Sequence, residues 1–297
     1  MSLPEQTSKA LRVQTLRVQA VPAGRPWRWL ALGWADLMRC PLPGLLHGLA
    51  AALFGALLLL AAGNRFWALA GSFSGFLLVA PVVATGLYAV SRALERGLPA
   101  TLYTALAAWR PKDHRLVMFG LLLALAGTGW VLTSASLITR FADAPVNSPA
   151  DFLRVVVLNE QSLLFEAWLL LGSVLAAPMF ASSVVAIPLL LDRPHSVKQA
   201  VVTSVNAALA SPAAMALWAT IILVLTLIGM ASFMVGLVVV VPWLAHASWH
   251  AYRDLVPQAD GDDAGQAHQA VKAGAAGKAI KAGRQGKQGK AGKAGRR

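Results

Sequence analysis

The sequence predicts an all-α, polytopic membrane protein with six transmembrane helices. Three observations carry this reading. Six apolar stretches, residues 44–62, 66–90, 116–138, 163–191, 213–229 and 233–251, are each long enough to cross about 30 Å of hydrocarbon as helix. The composition, 57% hydrophobic and 13% charged over 297 residues, is too apolar for a soluble domain and leaves room for one membrane domain. Basic residues also alternate between successive loops. The N-terminal segment (Lys9, Arg12, Arg17, Arg25, Arg28, Arg39), the second loop (Arg92, Arg96, Arg110, Lys112, Arg115) and the fourth (Arg193, Lys198) hold 13, and the other side holds 3, Arg65, Arg140 and Arg154. The positive-inside rule then places both termini in the cytoplasm. No run of signal-peptide length precedes residue 44, so no cleaved signal is expected. The single cysteine, Cys40, cannot form an internal disulfide.

The chain divides into a disordered basic segment at residues 1–26, a six-span membrane domain at 27–256 and a disordered polybasic tail at 257–297. Within the membrane domain, a short amphipathic helix, a proline and a pair of spans recur three times. The first short helix, residues 27–39, sets Trp27, Leu30, Ala31, Trp34, Leu37 and Met38 against Arg28, Asp36 and Arg39, and ends at Cys40-Pro41. The second covers about residues 98–109, with Leu102, Ala105, Leu106 and Trp109 on one face, and ends at Arg110-Pro111. The third covers about residues 197–209, striped by Val197, Val201, Val205 and Ala208, and ends at Ser211-Pro212. A residue before proline is pushed out of the helical region, so each proline turns the chain from lying on the cytoplasmic surface to entering the bilayer.

The second spans of the outer units also share spacing. Ala84, Gly86, Tyr88 and Arg92 follow Pro81 at the same offsets at which Ala245, Ala247, Trp249 and Arg253 follow Pro242. A triplicated two-span unit accounts for both patterns. Ser148-Pro149-Ala150-Asp151 reads as a cap, a first-turn proline and a first-turn acid, opening a short helix over residues 149–158 on the outer face. Trp67, Trp109, Trp168 and Trp249 fall near span ends, as interfacial aromatic belts require. Gly44/Gly48, Ala51/Gly55 and Gly71/Gly75 are small pairs that let helix backbones approach closely.

Charge in the tail restricts partners. Nine basic residues and no acid follow from Lys272 onward, interleaved with Gly and Ala, a composition that cannot bury apolar area. Beside a bilayer this tail is expected to meet anionic lipid head groups, at about 1 kcal/mol per basic residue near the surface. Nucleic acid is the lesser alternative, and the remaining partners expected are the bilayer itself and other membrane proteins.

Candidate chemistry is sparse. His246, His250 and Asp254 follow one another at one-turn intervals, and His47 enters the membrane at the same depth in the first span. Two imidazoles and a carboxylate suit a divalent metal, and a span histidine suits haem. The competing reading is that such histidines hydrogen-bond a neighbouring helix or a head group. No cofactor is therefore assigned. Glu166 is the one acid inside an apolar segment, near its outer end, where it marks a cation route or reaches water. Asp192-Arg193 reads as a neutralised interfacial pair. Motifs for covalent haem, nucleotide phosphates, a serine nucleophile elbow or a zinc peptidase helix are absent, which disfavours a hydrolase or a nucleotide-driven pump.

Leu32-Gly33-Trp34 ahead of Pro41-Leu42-Pro43, Gly75-Phe76-Leu77-Leu78-Val79-Ala80-Pro81, Ser91-Arg92-Ala93-Leu94-Glu95-Arg96-Gly97, Pro188-Leu189-Leu190-Leu191-Asp192-Arg193 and, most specifically, the closing run His246 to Leu255 resemble a bacterial integral membrane family known as domain of unknown function 2189. The resemblance covers about residues 27–256 and implies a bacterial inner-membrane protein. Some members carry a cytochrome c oxidase label, which for this chain implies at most an accessory or assembly role beside a respiratory complex and transfers no catalytic residue. The leading functional reading is a non-catalytic scaffold, assembly or membrane-organising component. A small-solute transporter or channel is the first alternative, and a haem- or metal-binding accessory of a respiratory oxidase is the second.

Overall fold

The computed structural model describes residues 16–62, 66–67, 70–72, 83–108 and 114–258, and every regular element among them is helical. Helix α1 (Arg25–Arg39) stops where Pro41 opens α2 (Pro41–Ala62), and α9 (Val197–Ala210) stops where Pro212 opens α10 (Pro212–Ala231). A first-turn proline costs no hydrogen bond, which is why both junctions need only one residue. Between them lie α3 (Thr85–Glu95), α4 (Leu102–Ala107), α5 (His114–Phe141), α6 (Pro149–Asp151) with a π turn at Phe152–Val157, α7 (Leu164–Ser183) and α8 (Ala186–Asp192). The last helix among the described residues is α11 (Leu237–Leu255). The expected cap at Ser148 is present, accepting from the Asp151 backbone N–H at 3.1 Å.

Among the described residues, four helical stretches are long and apolar enough to cross a membrane: Pro41–Leu60, His114–Phe141, Leu164–Asp192 and Pro212–Ala231. Only 17% to 33% of their most apolar windows is buried within the chain, so most of that surface is left for hydrocarbon. The second expected span falls largely on residues outside those described, and its described end is α3. The sixth begins later than expected. Phe233 and Met234 adopt left-handed φ values of 54° and 68° in the turn after α10, and the helix starts at Leu237. It also carries a polar second half that is enclosed by other helices, with His246, Trp249, Tyr252 and Leu255 fully buried.

The main core forms around α11. Trp29 of α1, Leu87 and Tyr88 of α3, Ile187 and Leu190 of α8 and Trp218 of α10 all pack into it, and Trp29 meets Trp218 edge-on at a ring separation of 5.7 Å. Backbone approach is closest at two glycines. A Cβ on Gly33 would lie 2.5 Å from the Ala247 nitrogen, and one on Gly48 would lie 2.1 Å from the Val238 oxygen. The Gly44/Gly48 pair thus serves helix packing, as its spacing predicts. A smaller cluster of Ile138, Val146, Val155, Val156 and Leu164, flanked by Trp67 and Trp168, closes the far end of α5.

Several expectations need correction. On α1 the packed face is Trp29, Leu30, Gly33, Asp36 and Leu37, whereas Trp27, Trp34 and Met38 are exposed. Asp36 was expected on the solvated side, and it is buried because its carboxylate finds donors inside. On α9 the buried stripe is Ala200, Thr203, Ser204 and Ala207 rather than the valines. Ser204 explains the shift: its hydroxyl donates to the Ala181 carbonyl at 2.6 Å and accepts from the Val185 N–H at 3.0 Å, which satisfies the backbone where α7 breaks into α8. Trp249 is buried rather than interfacial. Helix α4 is shorter than expected because Thr101 caps it with Thr104, and Trp109 lies outside the described residues. Residues 16–24 are non-helical but tied down, with Val21 N–H donating to Ser211 Oγ at 2.9 Å and Gln19 N–H to the Leu255 carbonyl at 2.9 Å. Residues 1–15 and 259–297, where most of the disorder was expected, lie outside the described residues.

Candidate functional site

The last three turns of α11 present polar side chains to α1, α3 and α8. His246 and His250 sit one turn apart and face α1 and α3. Both of those helices come close because Gly33 lets the α1 backbone touch Ala247, and α3 is buried along its whole first two turns. Ser91 of α3 donates its hydroxyl proton to Asp36 Oδ2 at 2.8 Å. The same hydroxyl oxygen lies 2.7 Å from His246 Nδ1. With the proton directed to Asp36, that oxygen accepts from Nδ1–H, which fixes the tautomer of His246. His250 Nε2 lies 2.8 Å from the same carboxylate oxygen, Asp36 Oδ2, and donates to it. Burial pushes the Asp36 carboxyl up, but the hydrogen bonds from His250 and Ser91 outweigh it and hold the group below the usual carboxylate range.

A serine, a histidine and an aspartate are thus in contact, but in the wrong order for nucleophilic catalysis. There the imidazole stands between hydroxyl and carboxylate and takes the hydroxyl proton. Here the hydroxyl stands between and gives its proton to the carboxylate. The arrangement suits a buried clasp, in which one ionised oxygen gathers two donors from two helices.

The neighbouring residues repeat the pattern. Asp254 accepts from Arg25 Nε at 2.5 Å, Arg25 Nη2 at 2.8 Å and Trp29 Nε1 at 2.9 Å, a forked ion pair that anchors the start of α1. Its carboxyl, pushed up by burial, is held low overall by Arg25 and Trp29. On the other side of α11, Glu95 accepts from Trp249 Nε1 at 3.0 Å and Arg253 Nε at 2.8 Å. Asp192 accepts from Tyr252 Oη at 2.8 Å and Arg96 Nη2 at 3.2 Å, with Arg193 3.8 Å away. The expected Asp192-Arg193 pair is therefore part of a larger hub.

His47 does reach this end of the molecule, since Gly44, one turn before it, packs against Pro242 and the His246 ring. Its Nδ1 bonds the Pro43 carbonyl at 2.7 Å. The stripe His246, His250, Asp254 is thus real, but its three heads turn to Ser91, Asp36 and Arg25. Among the described residues, no group of three His, Cys, Asp or Glu side chains is placed to hold a metal ion. Glu166 stands exposed in the first turn of α7, where the helix dipole favours a carboxylate. Asp36, Ser91, Glu95 and Arg25 were missed as site residues. Asp36 shares one helical stripe with Trp29 and Gly33, but its polarity assigns it to the solvated face.

An apolar cavity of about 670 Å³ lies among α3, α7, α9, α10 and α11, walled by Tyr88, Phe180, Met215, Ile222 and Leu244.

No curated protein and no solved structure matches the chain. Residues 69–192 match the model of the family described as "Predicted integral membrane protein (DUF2189)", the segment that supplies Ser91, Glu95 and Asp192 to the clasp and holds two of the five resembling motifs and all but the last residue of a third.

Proposed function

We propose that this chain is a non-catalytic component of a bacterial inner membrane that organises neighbouring membrane proteins or lipids. The observation that supports this reading is the use made of its polar side chains: at the clasp, the carboxylates of α1, α3, α8 and α11 are each taken by side-chain donors from a neighbouring helix. Little chemistry is left for a substrate, while the outward faces of four helices are apolar. The topology proposed with it has six spans, both termini in the cytoplasm and three repeats of a short helix followed by a two-span unit. The helix order supports it, since α1 and α9 each lead through a proline junction into a long apolar helix. Reporter fusions at Asn147 and Met230 are then expected to be periplasmic, and fusions at Pro99 and Ser196 cytoplasmic. A periplasmic signal from Ser196 overturns the topology.

A second reading, a small-solute transporter, is favoured by the apolar cavity alone. Reconstituted proteoliposomes separate the two. The organising reading expects solute and proton leak equal to that of empty vesicles, and a saturable flux overturns it. The haem or metal accessory reading has its own measurement: protein purified in mild detergent is expected to show no Soret band and no stoichiometric metal. A signal that disappears in His246→Ala/His250→Ala protein would promote that reading above the others.

A further inference from the structure

Helix α1 has apolar residues on more than the face that packs. Gly33 and Asp36, on its buried face, meet Ala247 and His250 of α11. A second stripe, Trp27, Ala31, Trp34 and Met38, recurs at one-turn spacing and is exposed, Trp27 to 60% and Met38 to 52%. We propose that this second stripe is set into the bilayer, at the boundary between head groups and acyl chains, so that α1 is held between α11 on one side and lipid on the other.

The division of the exposed surface carries the first part of the argument. A helix that borders water needs one apolar face and a polar remainder. On α1 the remainder is itself split. At about 100° per residue the aromatic stripe lies about 130° round from Gly33 in one direction, and Arg28 and Arg39 lie about as far round in the other. Both arginines are exposed, and Asp36, the one acid of the helix, is buried. An apolar edge beside a cationic edge is the surface of a helix that lies in a membrane interface.

Helix α11 then gauges which edge is deeper. Gly44 and Gly48 of α2 meet Pro242 and Val238, so depth along α2, one of the four stretches able to cross a membrane, increases toward the start of α11. The other end of α11 holds the cationic side of α1, with His250 on Asp36 and Asp254 on Arg25 and Trp29. Trp243, nearer the start, donates Nε1–H to the Leu30 carbonyl at 2.8 Å and meets Trp34 edge-on at a ring separation of 5.2 Å. The step from His250 to Trp243 is about 10 Å of helix, close to the full width of α1. The edge that carries Trp34 is therefore the membrane-ward one.

Continuity selects lipid as the occupant. Leu42, in the first turn of α2, is 59% exposed, and Leu49, Leu53 and Leu57 extend that surface along α2 on the side away from Gly48. Because α1 ends one residue before α2 begins, the medium that covers the start of α2 also reaches the end of α1. Tryptophan suits this depth, since its ring is apolar and its N–H is not. The placement holds for either leaflet and is independent of the orientation proposed above.

The test uses the full chain in phosphatidylcholine vesicles. Nitroxides are attached at Ala31→Cys or Met38→Cys, with Arg28→Cys as the comparison, each in Cys40→Ala protein. Relaxation by oxygen, which concentrates in hydrocarbon, is compared with relaxation by a water-soluble nickel chelate. The oxygen-to-nickel ratio is expected to be about threefold or more higher at positions 31 and 38 than at position 28, as insertion of one edge implies. Equal ratios overturn the proposal, because the stripe is then in water. Low collision with both reagents at positions 31 and 38 also overturns it, and dipolar broadening in that case identifies a second copy of the chain as the cover. If the cysteine variants do not fold, the native chain decides. A phosphatidylcholine with a diazirine at the top of one acyl chain is expected to label Trp34 or Met38, read by peptide mass spectrometry, and labelling of α2 without α1 overturns the placement.

Discussion

The clasp around α11 and the end of the molecule near Ile138 are held by different kinds of bond. At the clasp end, the side-chain bonds tie together residues far apart in the chain, such as Arg25 to Asp254, Asp36 to His250 and Glu95 to Trp249. At the end near Ile138, they are local: Trp168 Nε1 donates to Ser134 at 2.6 Å, Asn159 to Asp143 at 2.9 Å, and Ser148 to Asp151 within a single turn. The first end fixes which helices are neighbours. The second only closes the connection between two successive helices. Loss of a bond should therefore cost more, and spread further, at the first end.

The largest effect is expected where backbones touch. Gly48→Leu puts side chain where the Val238 carbonyl stands, so α2 and α11 must separate, at about 3 kcal/mol or more. Thermal unfolding in detergent measures it, with Gly129→Ala, which meets nothing within 4 Å, as the silent control. Wild-type stability in the Gly48 variant would mean that α2 and α11 are not packed as described.

Next in size is Asp36→Ala. It leaves Ser91 and His250 without their shared acceptor, and a loss of about 2–3 kcal/mol is expected. In a double-mutant cycle with His250→Ala, the two losses should fall well short of additive. Additive losses would show that the clasp is two unrelated contacts. Both Asp36 and Asp254 have folded-state carboxyls held below their ordinary value. Their stabilisation is therefore complete above the ordinary aspartate value of about 3.9 and is lost as the pH falls through the lower folded values. Unfolding followed from pH 7 downward should stay level until that window, and Arg25→Ala, which removes the group that holds the Asp254 carboxyl low, should make the decline shallower.

At the opposite end, Ser134→Ala removes one partner of Trp168 and should cost about 1 kcal/mol, without altering reactivity or unfolding of the clasp. The smallest effect belongs to the lipid-facing surface. Leu125→Ala on α5 should change stability in detergent by no more than about 0.5 kcal/mol. A large loss there would mean that α5 is covered by protein.

The sequence was most informative where one local rule decides. Prolines at 41 and 212 marked the helix junctions, Ser148 marked a cap, and Gly44/Gly48 marked a close approach, each read correctly because the cause lies within a few residues. Faces were harder. Asp36 and Ser204 look solvent-directed by polarity, yet each is buried because a donor or carbonyl from a distant helix satisfies it, information that no window of α1 or α9 contains. The candidate site was half legible for the same reason. The spacing of His246, His250 and Asp254 picked out the correct stripe, but spacing along one helix says nothing about Ser91, Asp36 or Arg25, which decide what those heads bind.

That the helix at the centre of the clasp follows all of its partners in the chain has a consequence during synthesis. Arg25, Asp36, Ser91, Glu95 and Asp192 all emerge before their partners on α11 exist. At about 5–20 residues per second, the growing chain carries Arg25 for roughly ten seconds to most of a minute before Asp254 is made. Through that interval the early helices are inserted but unlocked, so a stalled or truncated product that ends before residue 237 would expose unmatched acids and arginines, a form that quality-control proteases can tell from the finished protein.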